Sequence, residues 1–244
     1  SVAILAQVYV LNLDRRQDRL SAQTDVIENQ APWLMEHTCR VAAPDGNAMT
    51  KPNPRLVNES AWNTAMVRKR NHTKTVGNIL TPGSIALILG HGLVWEHIRQ
   101  QNFPFGILME DDINHFHPGL EEFLCRLAKR PLDWEYLQIQ HKNHRNDSQP
   151  LSVIHSTDFN TGMYAITREA AARALEYHFP IRRRQRQIDS RHEFLRGRTK
   201  AFMTEPAGAL QTGSRRDTDT QIFMRSANQK RMKNCRTLRA QTSL

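Results

Sequence analysis

Residues 105–112 read FGILMEDD, an apolar run that stops at three consecutive carboxylates. A short apolar segment bounded by polar residues suits a buried strand. Glu110, Asp111 and Asp112 are then expected at its C-terminal edge, where open α/β sheets bind ligands. Carboxylate oxygens are hard ligands for Mn²⁺ or Mg²⁺, and such an ion neutralises charge developing on a departing diphosphate. An exposed acidic turn after a core strand also accounts for an isolated E-D-D. The flanking chain has to decide between them.

Working upstream, Pro82 opens the segment SIALILGHGLVWEHIRQQN, whose apolar positions recur three and four apart, which predicts an internal helix starting at that proline. Residues 8–13 read as a first strand, and residues 14–30, with Leu20, Val26 and Ile27, as the helix after it. Pro44, Asp45 and Gly46 mark a turn, while residues 51–74, polar and carrying Pro52 and Pro54, read as irregular chain or one short helix. Downstream, residues 118–130 suit an amphipathic helix, residues 134–140 a strand, and residues 161–167 a further strand running into an alanine-rich helix over 169–178. Alternation of strand and helix predicts the α/β class, with a central, mostly parallel sheet flanked by helices.

The 244 residues, 39% of them hydrophobic, suffice for one good core. No apolar run approaches the roughly 18 residues that a membrane-spanning helix needs. Cys39, Cys125 and Cys235 are odd in number and widely spaced, which argues against a disulfide framework and predicts reduced thiols. The formal charge is +10. The excess gathers at Arg182, Arg183, Arg184 and Arg186, and again at Lys230, Arg231, Lys233, Arg236 and Arg239. Such clusters attract an anionic membrane, lipopolysaccharide phosphates or nucleic acid, and a solvated basic face explains them as well.

Several pieces, in order, resemble glycosyltransferase family 25, which includes bacterial lipooligosaccharide transferases and the collagen hydroxylysine galactosyltransferases. VYVLNLDRRQDRL, residues 8–20, is similar to the family's first strand and Asn-Leu-Asp-Arg-Arg signature, with Arg19 matched. Ala43, Asp45 and Gly46 resemble its Ala-x-Asp-Gly turn. GSIALILGHGLVWEHI, from Gly83, is similar to its helix before the acidic strand, with His91 and Trp95 in register. ILMEDDI follows at the expected distance, and TGMYAITREAAARAL looks like the late strand and helix, with Gly162, Tyr164 and Ala171 matched. The resemblance covers most of residues 8–211. In place of the family's Ser before the helix histidine this chain has Gly90, and Ala86 and Leu87 replace a Gly-Cys pair, so a hydroxyl is missing from the expected pocket wall.

The resemblance implies a GT-A-like domain over residues 1–221, followed by a basic tail over 222–244, and a metal-dependent hexosyltransferase that inverts the anomeric carbon of a UDP-sugar, UDP-galactose or UDP-glucose. It places Asn12, Leu13, Arg15, Arg19, Asp45, Gly46, Glu110 and Asp111 at the donor, and Asp112 with Glu110 at Mn²⁺ or Mg²⁺. Asp111 serves either role. Inversion by single displacement needs a base to take the acceptor hydroxyl's proton while a metal stabilises the leaving diphosphate. Asp189, at the family's late aspartate, is the first candidate and Asp158 the second. His91 either lines the donor site or is a hydrogen-bonded core residue, and His115 or His117 is either a nitrogen ligand or a surface turn residue. The implied acceptor is a lipopolysaccharide-type glycan or a hydroxylysine-bearing protein. A nucleic-acid-binding module is the alternative, but its stacking aromatics are here inside apolar runs. A degenerate transferase scaffold is the other, and the intact acidic triplet argues against it.

Overall fold

The structure is a computed structural model that describes residues 6–70, 80–129, 133–141, 146–155, 160–183, 188 and 199–211. Asp158, Asp189, Arg184, Arg186 and the basic tail over 222–244 lie outside the described residues.

The chain opens with β1 (Ala6–Leu13), α1 (Gln17–Gln30) and β2 (Thr38–Ala43), then α2 (Glu59–Arg70), α3 (Pro82–Gln100) and β3 (Phe105–Glu110). It continues through β4 (Ile113–Phe116), α4 (Leu120–Ala128), β5 (Tyr136–Gln138), β6 (Ser152–His155) and β7 (Met163–Thr167). The last elements are α5 (Arg168–His178), β8 (Ala201–Glu205) and β9 (Ala209–Gln211). The main sheet has seven strands in the order β2-β1-β3-β7-β5-β8-β6. β1 runs parallel to β2 and β3, and β8 parallel to β5, whereas β7 and β6 run against their neighbours. Most strands therefore point one way, and the α/β class with a mostly parallel sheet holds.

Side-chain alternation along the strands divides the core in two. Tyr9, Leu11, Leu108, Tyr164 and Ile166 face the layer built by α2, α3 and α5. Val8, Val10, Ile107, Met109, Met163 and Ala165 face the opposite layer, with Ile27 of α1 and Leu120, Phe123 and Leu124 of α4. Burial on both faces is why these strands read as continuous apolar runs. The start of α3 is fixed by a capping box, in which Thr81 Oγ1 accepts from the Ser84 amide at 3.1 Å and Ser84 Oγ accepts from the Thr81 amide at 2.7 Å.

β1 sits between β2 and β3. The chain leaves β1 through α1 on one face and returns to β3 through α2 and α3 on the other, so a crevice opens outside the C-terminal ends of β1 and β3. That is where the acidic triplet stands.

The strict alternation expected from the sequence does not extend through the second half. No helix separates β5, β6 and β7 among the described residues, and β4 pairs with β9 in a separate two-stranded sheet. β6 is exposed along its whole length at the sheet edge, so it needs no apolar run. Of the described cysteines, Cys125 is a free buried thiol. Cys39 is disulfide-bonded, which corrects the expectation of reduced thiols throughout.

Candidate active site

The three carboxylates at the end of β3 point to different partners. The Glu110 amide still donates to Gly162 O at 2.8 Å, which carries β3–β7 pairing to the last residue of the strand. Asp111 then turns inward and is 9% exposed. Its Oδ2 accepts from Asn12 Nδ2 at 2.6 Å and its Oδ1 from Arg19 at 3.1 Å. Asn12 is itself buried; its Nδ2 also donates to Arg16 O at 3.0 Å, and its Oδ1 accepts from Arg40 Nε at 3.0 Å. Asn12, Arg19 and Asp111 form one clamp tying the ends of β1 and α1 to the end of β3. Burial raises the Asp111 carboxyl above its ordinary range, against the lowering pull of Asn12 and Arg19.

Glu110 and Asp112 share a different partner. Gln211 Nε2, at the end of β9, donates to Asp112 Oδ1 at 2.7 Å and to Glu110 Oε2 at 3.2 Å. One neutral amide thus spans two acids. Burial, followed by the charge of Glu110, pushes the Asp112 carboxyl up to about 7. Burial also raises Glu110, with the charge of Asp111 adding to it and hydrogen bonds from Thr161 and Gln211 opposing it. Among the described residues, Glu110 Oε1 is buried without a hydrogen-bond partner. Two carboxylates held together with their ionised forms disfavoured suit a divalent cation, which relieves the repulsion that Gln211 only moderates. Among the described residues no group of three His, Cys, Asp or Glu side chains forms a complete protein cage. Mg²⁺ and Mn²⁺ sites commonly use one or two carboxylates and complete their shell with water and substrate phosphate, so the donor set fits such an ion.

Behind Glu110 lies a buried polar trio. Trp95 Nε1 donates to the Tyr164 hydroxyl at 2.9 Å, and that hydroxyl lies 2.8 Å from His91 Nδ1. His91 Nε2 lies 3.8 Å from Glu110 Oε1. His91 is fully buried; of the two readings, it is the hydrogen-bonded core residue, and it backs Glu110. Gly90 faces Leu11, whose methyls lie 3.0 and 3.1 Å from where a Cβ would stand. The position is core beneath β1 and not the pocket wall expected from the resemblance. A side chain there would crowd Leu11.

His115 Nε2 pairs with Asp147 at 2.9 Å. His117 is buried, with Nε2 at 3.1 Å from Gln149 O and Nδ1 accepting from the Gly119 amide at 2.9 Å. Both histidines anchor the chain after residue 145, and neither is directed to the acidic pair. At the other edge of the crevice, Arg15 Nε donates to Asp45 Oδ2 at 2.6 Å, next to half-buried Leu13. Gly46 packs on the first turn of α3, where a Cβ would stand 2.6 Å from Gly83 Cα; any side chain there would force the turn off the helix.

The expected residues thus fall into three groups around one crevice: the Asn12–Arg19–Asp111 clamp, the Glu110–Asp112 pair, and the Arg15–Asp45 pair beside Gly46. Gln211 and Thr161 were not among the expected residues. Gln211 reaches the acids through the pairing of β4 with β9. A glutamine about a hundred residues from the triplet carries no local signal of that contact.

The model of glycosyltransferase family 25, described as LPS biosynthesis protein, matches residues 5–190. The match runs from β1 past α5 and takes in the whole acidic triplet. It covers well over half of the sequence, and the sheet is consistent with that of a GT-A-like domain, with the acids at the C-terminal end of β3. The chain belongs to glycosyltransferase family 25 and is a glycosyltransferase.

Proposed function

We propose that this glycosyltransferase moves a hexose from a UDP-sugar to a hydroxyl of a lipopolysaccharide-type glycan, with inversion at the anomeric carbon and with Mn²⁺ or Mg²⁺ as cofactor. The observation that carries this reading is the Glu110–Asp112 pair bridged by Gln211, with Asp112 pushed up to about 7 by burial and by the neighbouring Glu110 charge. Asp112, with Glu110, would hold the ion, which when bound supplies charge stabilisation to the departing diphosphate. Asp111 acts indirectly: with both oxygens engaged by Asn12 and Arg19, it fixes the turn that presents Asp112. Leu13, Arg15, Asp45 and Gly46 lie at the ends of β1 and β2, on the side of the crevice suited to the nucleoside.

A base free of the metal has to take the acceptor proton, and Asp189, then Asp158, remain the candidates; both lie outside the described residues. The family description favours a lipopolysaccharide-type glycan over a hydroxylysine acceptor. The exposed Arg182 and Arg183, together with the basic tail, suit an anionic glycan or membrane surface.

The test is transfer from UDP-glucose and UDP-galactose to truncated lipooligosaccharide, with and without Mn²⁺, and with the product anomer read by NMR. Metal-dependent transfer giving the anomer opposite to that of the donor supports the proposal. Retention of configuration, or equal transfer in EDTA, overturns it.

A further inference from the structure

Gly162, just before β7, is flanked by two glutamine amides. A Cβ there would stand 2.5 Å from Gln140 Oε1 and 3.1 Å from Gln211 Oε1. Both amide oxygens therefore converge over the bare Cα of Gly162, the residue whose carbonyl pairs with the Glu110 amide at 2.8 Å. Gln211 is already the bridge between the acids.

Gln140 has a different status. Its backbone is fixed on both sides: the amide donates to Met163 O at 2.9 Å, and the carbonyl accepts from Gln138 Nε2 at 2.8 Å. Among the described residues its side chain has no such anchor. The residue is 2% exposed, and among the described residues Oε1 is buried without a hydrogen-bond partner. Buried amide oxygens are nearly always paired, and an orphan next to a binding site calls for a partner that arrives with the ligand.

The chemistry of that partner follows from the acceptors. Two amide oxygens converging on one point call for a hydrogen-bond donor, which a diphosphate lacks at neutral pH and a sugar hydroxyl supplies. Position agrees. In the strand order β2-β1-β3-β7-β5, Arg15 and Asp45 stand at the β1 and β2 ends, the acidic pair at the β3 end, and Gln140 just beyond β5. A nucleotide sugar laid across that edge, with its diphosphate at the acidic pair, carries its hexose toward β7 and β5.

We infer that Gln140, standing with Gln211 over the floor made by Gly162, is a specificity-determining residue that accepts a hydrogen bond from a hydroxyl of the transferred hexose. The inference rests on the nucleotide-sugar reading above.

Calorimetric titration of the full chain with UDP, UDP-glucose and UDP-galactose in Mn²⁺ tests it, comparing wild type with Gln140→Met and Gly162→Ala. Wild type is expected to bind one UDP-hexose more tightly than UDP. Gln140→Met should weaken that UDP-hexose by about tenfold or more, the loss of one good hydrogen bond, and leave UDP within about twofold. Gly162→Ala, whose methyl displaces the Gln140 amide, should also weaken the UDP-hexose, while the UDP comparison is read from Gln140→Met, which does not touch Gln211. An unchanged affinity for the UDP-hexose, or equal weakening of UDP and UDP-hexose, overturns the role of Gln140 while the nucleotide-sugar reading stands. Failure of the wild type to bind any of the three overturns both.

Discussion

The Gln211 amide lies 2.7 Å from Asp112 Oδ1, so the last residue of β9 restrains the acid that the turn after β3 presents. The same nitrogen reaches Glu110 Oε2 at 3.2 Å. The contact links the small β4–β9 sheet to the site and holds two carboxyl groups side by side.

Replacing that amide should therefore cost most when no metal is present. Gln211→Met is expected to lower the stability of the metal-free protein by about 1.5–3 kcal/mol, the usual range for a hydrogen bond to a charged group. Saturating Mn²⁺ should narrow the gap, because the ion then separates the acids. Thermal denaturation in EDTA and in Mn²⁺ measures both values, and an identical loss under the two conditions would count against a cation site.

Asp112→Asn should reverse the usual link between stability and activity. Asparagine keeps an oxygen for Gln211 and removes a carboxylate whose ionisation the fold disfavours. The variant is expected to resist urea better than wild type in EDTA at pH 8, and to lose transfer. A variant no more stable than wild type would mean that Asp112 is not strained by its neighbours.

Asn12→Ala tests the clamp. The change removes the donor to Asp111 and the acceptor for Arg40, leaving a buried carboxylate short of one partner. A loss of about 2–4 kcal/mol is expected in urea denaturation, the scale of a broken buried polar network. A change within about 0.5 kcal/mol, typical of the free surface, would show that Asn12 does not hold the end of β3.

Much of the fold was legible because burial leaves a mark on composition. β3 and β7, covered on both faces, read as apolar runs, and α3 was announced by Pro82 and by its three- and four-residue spacing. β6, β8 and β9 left no such mark. β6 is exposed at the edge, and β9 has only three residues, so neither offers a period long enough to detect. The site divided in the same way. An acidic triplet ending an apolar run places the crevice, but strand alternation cannot say that Asp111 turns inward to Asn12 while Asp112 turns to Gln211. Those directions are set in the turn, by partners distant in sequence.

Acid sensitivity should trace in part to His178. This residue is 4% exposed and packs against the rings of Trp95 and Tyr177. Burial, followed by the charge of His91, lowers its pKa from 6.5 to about 4. The folded state therefore keeps His178 neutral where the unfolded chain protonates it. Its contribution is fully present above about pH 6.5 and is lost as the pH falls toward 4, amounting to about 3 kcal/mol over that window. Urea denaturation from pH 7.5 to 4.5 should show the decline, and His178→Gln should flatten it. An equal slope in the variant would place the acid sensitivity elsewhere.

The central claim is that Asp112 and Glu110 form a divalent-cation site for a nucleoside diphosphate. Calorimetric titration of UDP into the full chain, in Mn²⁺ and in EDTA, tests it most directly. The account predicts tight UDP binding in Mn²⁺ that EDTA abolishes, and that Asp112→Ala abolishes in either buffer while the protein remains folded. Equal UDP affinity in Mn²⁺ and EDTA, or undiminished metal-dependent binding by Asp112→Ala, would contradict it.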